Sequence, residues 1–278
     1  MKKKKKKGSA PVKRENTFDK VIFSLADEFS KIPNFDLTHT DPDASLIRDM
    51  VIFRISDATS YRDLVCHTFI PATNKAIVIS KREVSSSRFK NFPSMMNIDY
   101  QETLYDVIRL SYVGLFHKWE NFVLDVVKMV GVIQGDEDSS NTPIDDWLKS
   151  KPYSFNIRDW QMFPITHKIN WICNCVKHRD GYPTKTPKPY EFSDLDESIR
   201  IQLSVNDFKE DCNKLIDFYP EFIRIVSTLS MLRTSIKNSE KDLDFDYSED
   251  FKALLERHKA ESTARLVEFM DLLRSLKV

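Results

Sequence analysis

From Asp99 to Val130 the apolar residues Leu104, Ile108, Leu115, Trp119, Phe122, Val126 and Val130 recur at intervals of three, four or seven. That spacing puts all of them on one stripe of an α-helix. About nine turns of helix are implied, longer than a small domain is wide. Any other element that folds must line up along this strut. The feature commits the chain to a mainly α fold, a helical bundle with extra flanking helices and at most a short strand or hairpin.

Other segments carry the same period. Phe18, Ile22, Leu25 and Phe29 mark an amphipathic helix from Glu15 to Ile32, ended by Pro33. A second helix is predicted to start at Asp41 or Asp43, acids suited to a helix N-terminus, and to run through Leu46, Met50 and Phe53 toward Phe69, before Pro71. Lys75 to Arg88 is ambiguous: Ala76-Ile77-Val78-Ile79 suits a short strand and Ser85-Ser86-Ser87 a hinge, with helix favoured. Gln134 to Asn141 is a solvated acidic loop, and Thr142-Pro143 opens a short helix around Trp147. Further on, Ser198 to Leu203 alternates like one short strand. Val205 to Ile236 then reads as helix with a bend at Pro220, Ser239 to Asp250 as a linker, and Leu254, Leu255, Leu266, Phe269, Leu273 and Leu276 as a last docking helix. The expected organisation is a basic tail over residues 1–13 and a single helical domain over 14–278, with the C-terminal helix at 249–278.

Composition removes several functions. The five glycines (Gly8, Gly114, Gly131, Gly135, Gly181) form neither GxGxxG nor GxxxxGK[ST], so dinucleotide and P-loop chemistry are poor candidates. The opening Lys2 to Lys7 is followed by no apolar stretch and is not a secretory signal. It reads as an engineered or disordered basic tail; a natural arm for RNA or anionic lipid is the alternative. Without those six lysines, 36 basic residues face 42 acids, and bulk charge gives no support for nonspecific nucleic-acid binding. Cys66, Cys173, Cys175 and Cys212 form no CxxC pair, and no apolar run of membrane-spanning length occurs. A reducing, cytoplasmic setting is expected, with no membrane and no cofactor.

The helix Pro164 to His178 is chemically loaded. Ile165, Ile169, Ile172 and Val176 form the stripe expected in the core, while His167, Trp171, Asn174 and His178 form a second stripe nearly opposite. From Lys149 to Lys188, eight basic residues meet only Asp159 and Asp180, a local excess of six charges in an acidic protein. A confined patch of this kind attracts a phosphate backbone. The plain alternative is a solvated face whose Lys177, His178 and Arg179 complement the helix C-terminal dipole, with acidic segments at 136–146 and 194–211 neutralising the patch.

Competing chemistries fit poorly. Cys173 and Cys175 point about 200° apart on a helix and do not share a zinc ion, so no metal is expected. Cys173 and His178 lie five residues apart and do not converge as a nucleophile pair. Glu102, Asp106, Glu120 and Asp125 form no convincing acid pair.

Cys173-Asn174-Cys175-Val176-Lys177-His178, with Gly181 after it, resembles the Arg-Asn-x-x-x-His signature of the HEPN superfamily, helical-bundle proteins that often act as metal-independent RNases. Leu115-Phe116-His117-Lys118-Trp119-Glu120-Asn121-Phe122-Val123 resembles the aromatic-Glu helix preceding that motif in prokaryotic defence and toxin families of the group. The resemblance covers about Asp99 to Tyr190, and a HEPN-like core is expected over about 99–236. It implies an endoribonuclease with His178 as acid or base, Asn174 positioning the substrate and Lys177 contacting phosphate. Lys168, His167, Trp171 and Arg179 are further candidate substrate contacts. Glu120 is either a partner that orients a motif residue or a plain surface acid. Cys173 stands where the family has arginine, and cysteine lacks a cationic fork; Lys177 or Lys168 is the candidate substitute charge. The resemblance also implies a homodimer whose motif helices meet, in which Trp171 is an interface residue or, equally, a buried packing residue. A catalytically inactive module binding RNA, nucleotide or a protein partner is the second reading, and a purely structural helical partner the third.

Overall fold

The computed structural model describes residues 42–92, 99–133 and 163–275. The helix expected at Glu15 to Ile32, the acidic loop after Gln134, the helix around Trp147 and the basic residues Lys149, Lys151 and Arg158 lie outside them. The described residues form six long α-helices: α1 (Pro42–Leu64), α2 (Ile70–Ser86), α3 (Tyr100–Ile133), α4 (Pro164–Arg179), α5 (Val205–Leu243) and α6 (Glu249–Ser275). A 3-10 turn occupies Tyr190–Phe192. The fold is mainly α, a helical bundle without strands among the described residues.

Helix α3 is the expected strut at 34 residues, and α1, α4 and α5 pack along it. Its stripe fills the core: Ile108, Leu115, Trp119, Phe122 and Val126 are all buried. Trp119 meets Phe218, Tyr219 and Phe222 of α5, and Phe122 stacks on Tyr219 at 3.9 Å between centroids. A wholly aromatic joint between two long helices buries much apolar area per residue and fixes their relative rotation. Lys118 of α3 reaches Asp57 of α1 at 2.7 Å, and Arg54 pairs with Asp125. Gly114 is needed where Tyr61 of α1 crosses: a Cβ there would meet the Tyr61 hydroxyl at 2.0 Å.

Three boundaries differ from the sequence expectations. Pro71 does not end the second helix. The chain passes from α1 to α2 through a π turn, Val65–Phe69, in which the Ile70 amide bonds the Val65 carbonyl, and Pro71 falls in the first turn of α2, where its missing N–H is tolerated. The segment 75–86 is helix, and the serine run closes it. Ser198 to Leu203 is not a strand. Ile201 and Leu203 are buried, as their alternation implies, yet the segment lies against a turn, with the Ile201 amide donating to the Gly181 carbonyl at 2.9 Å. Finally, α5 extends through Leu243, so the connector to α6 is shorter than the acidic run suggested. Its start is fixed by a reciprocal Ser204–Asp207 capping box, and Pro220 lies within it. Helix α6 docks on α5 through Leu266 and Met270. No described helix is long and apolar enough to cross a membrane.

Candidate functional site at the C-terminal end of α4

Helix α4 starts with Pro164 at its first position and ends in a left-handed pair, Asp180 at φ 52° and Gly181 at φ 81°. The Gly181 amide donates to the Cys175 carbonyl at 2.9 Å. This satisfies a helix-end carbonyl and turns the chain back. A buried arginine of α3 locks the turn. Arg109 donates to the Ile201 carbonyl at 2.9 Å and binds Glu102 and Asp106, while Arg200 pairs with Asp180 and Glu102. A Cβ on Gly181 would press on the Arg109 side chain at 3.1 Å. The end of α4 is therefore tied to α3 by charged contacts, Arg200 bridging Asp180 to Glu102.

Burial of α4 is wider than one stripe. Ile169 and Ile172 are buried as expected, but so are Thr166, Trp171, Cys173 and Cys175. Trp171 is 0% exposed; its indole donates to the Lys185 carbonyl at 2.8 Å and stacks on Phe192. Of the two roles left open for Trp171, the structure assigns the buried packing residue, and neither a substrate nor a second protomer reaches it in this conformation. The expected non-core stripe is thus interrupted at its middle by a residue that the 182–192 segment covers.

At the N-terminal end of α4 the charges are paired. Lys168 lies 2.9 Å from the Asp211 carboxylate and 3.0 Å from Glu191, and Asp211 also accepts a 2.6 Å hydrogen bond from Tyr112. Burial pushes the Asp211 carboxyl up from its ordinary value, against the pull of Lys168 and Tyr112. A chain from the core to the surface results, and it already satisfies the Lys168 ammonium. Lys168 is thus a poor substitute for a phosphate-holding arginine. His167 is half-buried; burial, then Lys185, depresses its basicity, and a bond to the Lys188 backbone only partly opposes this. His167 and Lys168 line a cleft of about 800 Å³ with Lys188, Tyr190 and Lys214. Lys188 is itself paired with Glu197 at 2.9 Å.

The C-terminal end is different. Lys177, His178 and Arg179 are exposed and fill the last turn, where cations meet the negative helix end favourably. The Lys177 ammonium points to α3, 3.3 Å from His117 Nε2, and His117 Nδ1 lies 2.9 Å from Glu120. Glu120 therefore has a definite partner, which is His117. Cys173, one turn before Lys177, is 1% exposed and faces this junction. Burial pushes its thiol up from the ordinary value, with Lys177 opposing and Glu120 reinforcing the shift. Asn174 is half-buried, and its amide bonds the Asn170 carbonyl and side chain at 2.7 and 2.6 Å. Asn170, Asn174, Lys177 and His178 share one edge of the helix, so the arrangement offers two imidazoles, an ammonium and two amides beside a carboxylate.

His117 is the member that sequence reasoning missed as a functional residue. It sits three residues before Glu120, the spacing for a same-face helix contact, and that was the available signal. Its approach to Lys177, 60 positions away, follows only from the packing of α3 on α4. Among the described residues no group of three or more His, Cys, Asp or Glu side chains is arranged to hold a metal ion. Searches against protein-family models, curated proteins and solved structures returned no match to the chain.

Proposed function

We propose that the chain is a HEPN-like protein acting on RNA, a metal-independent endoribonuclease of a prokaryotic toxin or antiviral system that works in the cytoplasm as a homodimer. One observation carries the reading: the motif end of α4 holds an exposed cation, Lys177, with no ion pair among the described residues, between Cys173 and His117, with His178 and Asn174 along the same edge. The cation missing at position 173 is supplied one turn later. Lys177 contacts the phosphate and stabilises charge as it develops on the phosphorane oxygens. His178 exchanges protons with the reacting ribose or the leaving oxygen. Asn174 positions the strand, and Arg179 adds a further contact to the backbone.

The test is cleavage of total RNA and of a defined tRNA pool by the full chain in EDTA. Cleavage that leaves 2′,3′-cyclic phosphates, and falls at least about 100-fold in His178→Ala, is the expected result. Intact RNA refutes the nuclease.

A second reading is a catalytically inactive module that binds RNA, nucleotide or a protein partner. Two observations favour it: the uncharged Cys173, and the Asn174 amide turned onto Asn170 rather than outward. Under it the parent is inert and Cys173→Arg gains nuclease activity.

A further inference from the structure

Cleavage of RNA by its own 2′-hydroxyl needs two proton transfers. One group takes the proton from the 2′ oxygen, and another gives a proton to the departing 5′ oxygen. A lone histidine has to serve both in turn. The end of α4 has a second imidazole.

His117 lies between a donor and an acceptor whose chemistries fix its own. The Lys177 ammonium has protons and no lone pair, so the ring atom facing it at 3.3 Å, Nε2, is the unprotonated one. Nδ1 then carries the hydrogen and donates it to Glu120 at 2.9 Å. A carboxylate on Nδ1 that holds an imidazole with Nε2 free is the arrangement of a general base. The fold gains little from it. The His117 and Glu120 side chains are 54% and 46% exposed, and exposed pairs of this kind contribute about 0–1 kcal/mol.

We propose, resting on the nuclease reading above, that His117 is the catalytic base and His178 the catalytic acid of RNA cleavage, with Glu120 positioning His117 and Lys177 capping it until substrate arrives. As a phosphodiester enters, Lys177 moves from His117 Nε2 to a non-bridging phosphate oxygen and uncovers the lone pair. The 2′ oxygen then bonds to phosphorus while its proton passes to His117 Nε2. The bond from phosphorus to the 5′ oxygen breaks, and that oxygen takes a proton from the His178 imidazolium. The products are a 2′,3′-cyclic phosphate and a 5′-hydroxyl; solvent returns the two histidines to their starting states.

A 5′-bridging phosphorothiolate substrate separates the roles, because a thiolate leaves without an acid. Single-turnover rates of the full chain are compared on this RNA and on its ordinary oxygen counterpart. His117→Ala and His178→Ala are each expected to lose about 100-fold or more on ordinary RNA. The sulfur substrate restores His178→Ala and leaves His117→Ala slow. Glu120→Gln slows cleavage by a smaller factor without changing the affinity for RNA. His117→Ala within threefold of the parent, or rescued by sulfur as His178→Ala is, overturns the assignment while leaving the nuclease standing; a parent inert on both substrates overturns both. Nitrogen-15 spectra of the His117 ring at neutral pH give a reading independent of activity. The proton is expected on Nδ1 in the parent, and a proton found on Nε2 overturns the assignment whatever the rates.

Discussion

The two ends of α4 are built from similar residues and differ in what surrounds them. At the N-terminal end Lys168 lies between Asp211 and Glu191, with Tyr112 behind. At the C-terminal end Lys177 meets, among the described residues, a thiol and an imidazole. A lysine whose charge is cancelled by a buried carboxylate, here Asp211, holds the structure together, and removing it leaves that carboxylate buried and uncompensated. A lysine beside neutral groups at the surface costs the fold little to keep or lose, and its charge remains available to a ligand.

The contrast fails if stability and chemistry do not separate between the two ends. The largest expected effect is on the sealed side. Trp171→Ala empties a fully buried site and is expected to cost about 3–5 kcal/mol in urea unfolding; a loss below about 1 kcal/mol would mean the 182–192 segment does not cover it in solution. Lys168→Ala comes next, at about 3 kcal/mol, because Asp211 is left buried without its cation. Cleavage per folded molecule is expected to persist in it. Gly181→Ala follows at about 1–2 kcal/mol, from the positive φ and the pressure on Arg109. Lys177→Ala is expected to shift stability by no more than about 0.5 kcal/mol, so a melting curve like the parent's together with lost RNA cleavage would sharpen the comparison. The smallest effect is a pH dependence. His167 has a depressed folded basicity, caused first by burial and then by Lys185, so the unfolded chain takes up its proton first as pH falls. Stability from this residue is complete above its unfolded pKa, about 6.5, and is lost as pH falls from there toward the folded value. His167→Gln is expected to flatten that acid-side slope; an unchanged slope would locate the titration elsewhere.

The sequence was most legible where one helix face meets one neighbour. The strut α3 follows its apolar stripe closely, because a long helix bordered by solvent along one side must segregate its residues. Helix α4 was harder. It is enclosed by α3, by α5 and by the returning 182–201 segment, so Trp171, Cys173 and Cys175 are buried off the expected stripe. Pro71 misled because a π turn, invisible to a 3.6-residue period, absorbs it. Ile201 and Leu203 alternate because two side chains are buried, and burial alone does not supply the neighbouring strand that a ladder needs. Of the candidate site, Lys177, His178 and Arg179 were legible as an exposed cationic end. The pairing of His117 with Lys177 was not, since it joins helices far apart in the chain.

The π turn at Val65–Phe69 sets an angular phase. Beyond it, Thr73, Ile77, Ser80 and Val84 of α2 are the half-buried positions, and the side facing α3 is marked by the contacts of Ser80 and Lys81 with Tyr100. Each residue of a helix advances the next by about 100°. Winding the same residues as regular α-helix, without the wide turn, would rotate this whole arm by about that angle, carrying Thr73 and Ile77 off the bundle. The turn works like the keyway of a shaft: one residue of slack determines which side of a 17-residue helix the rest of the protein meets.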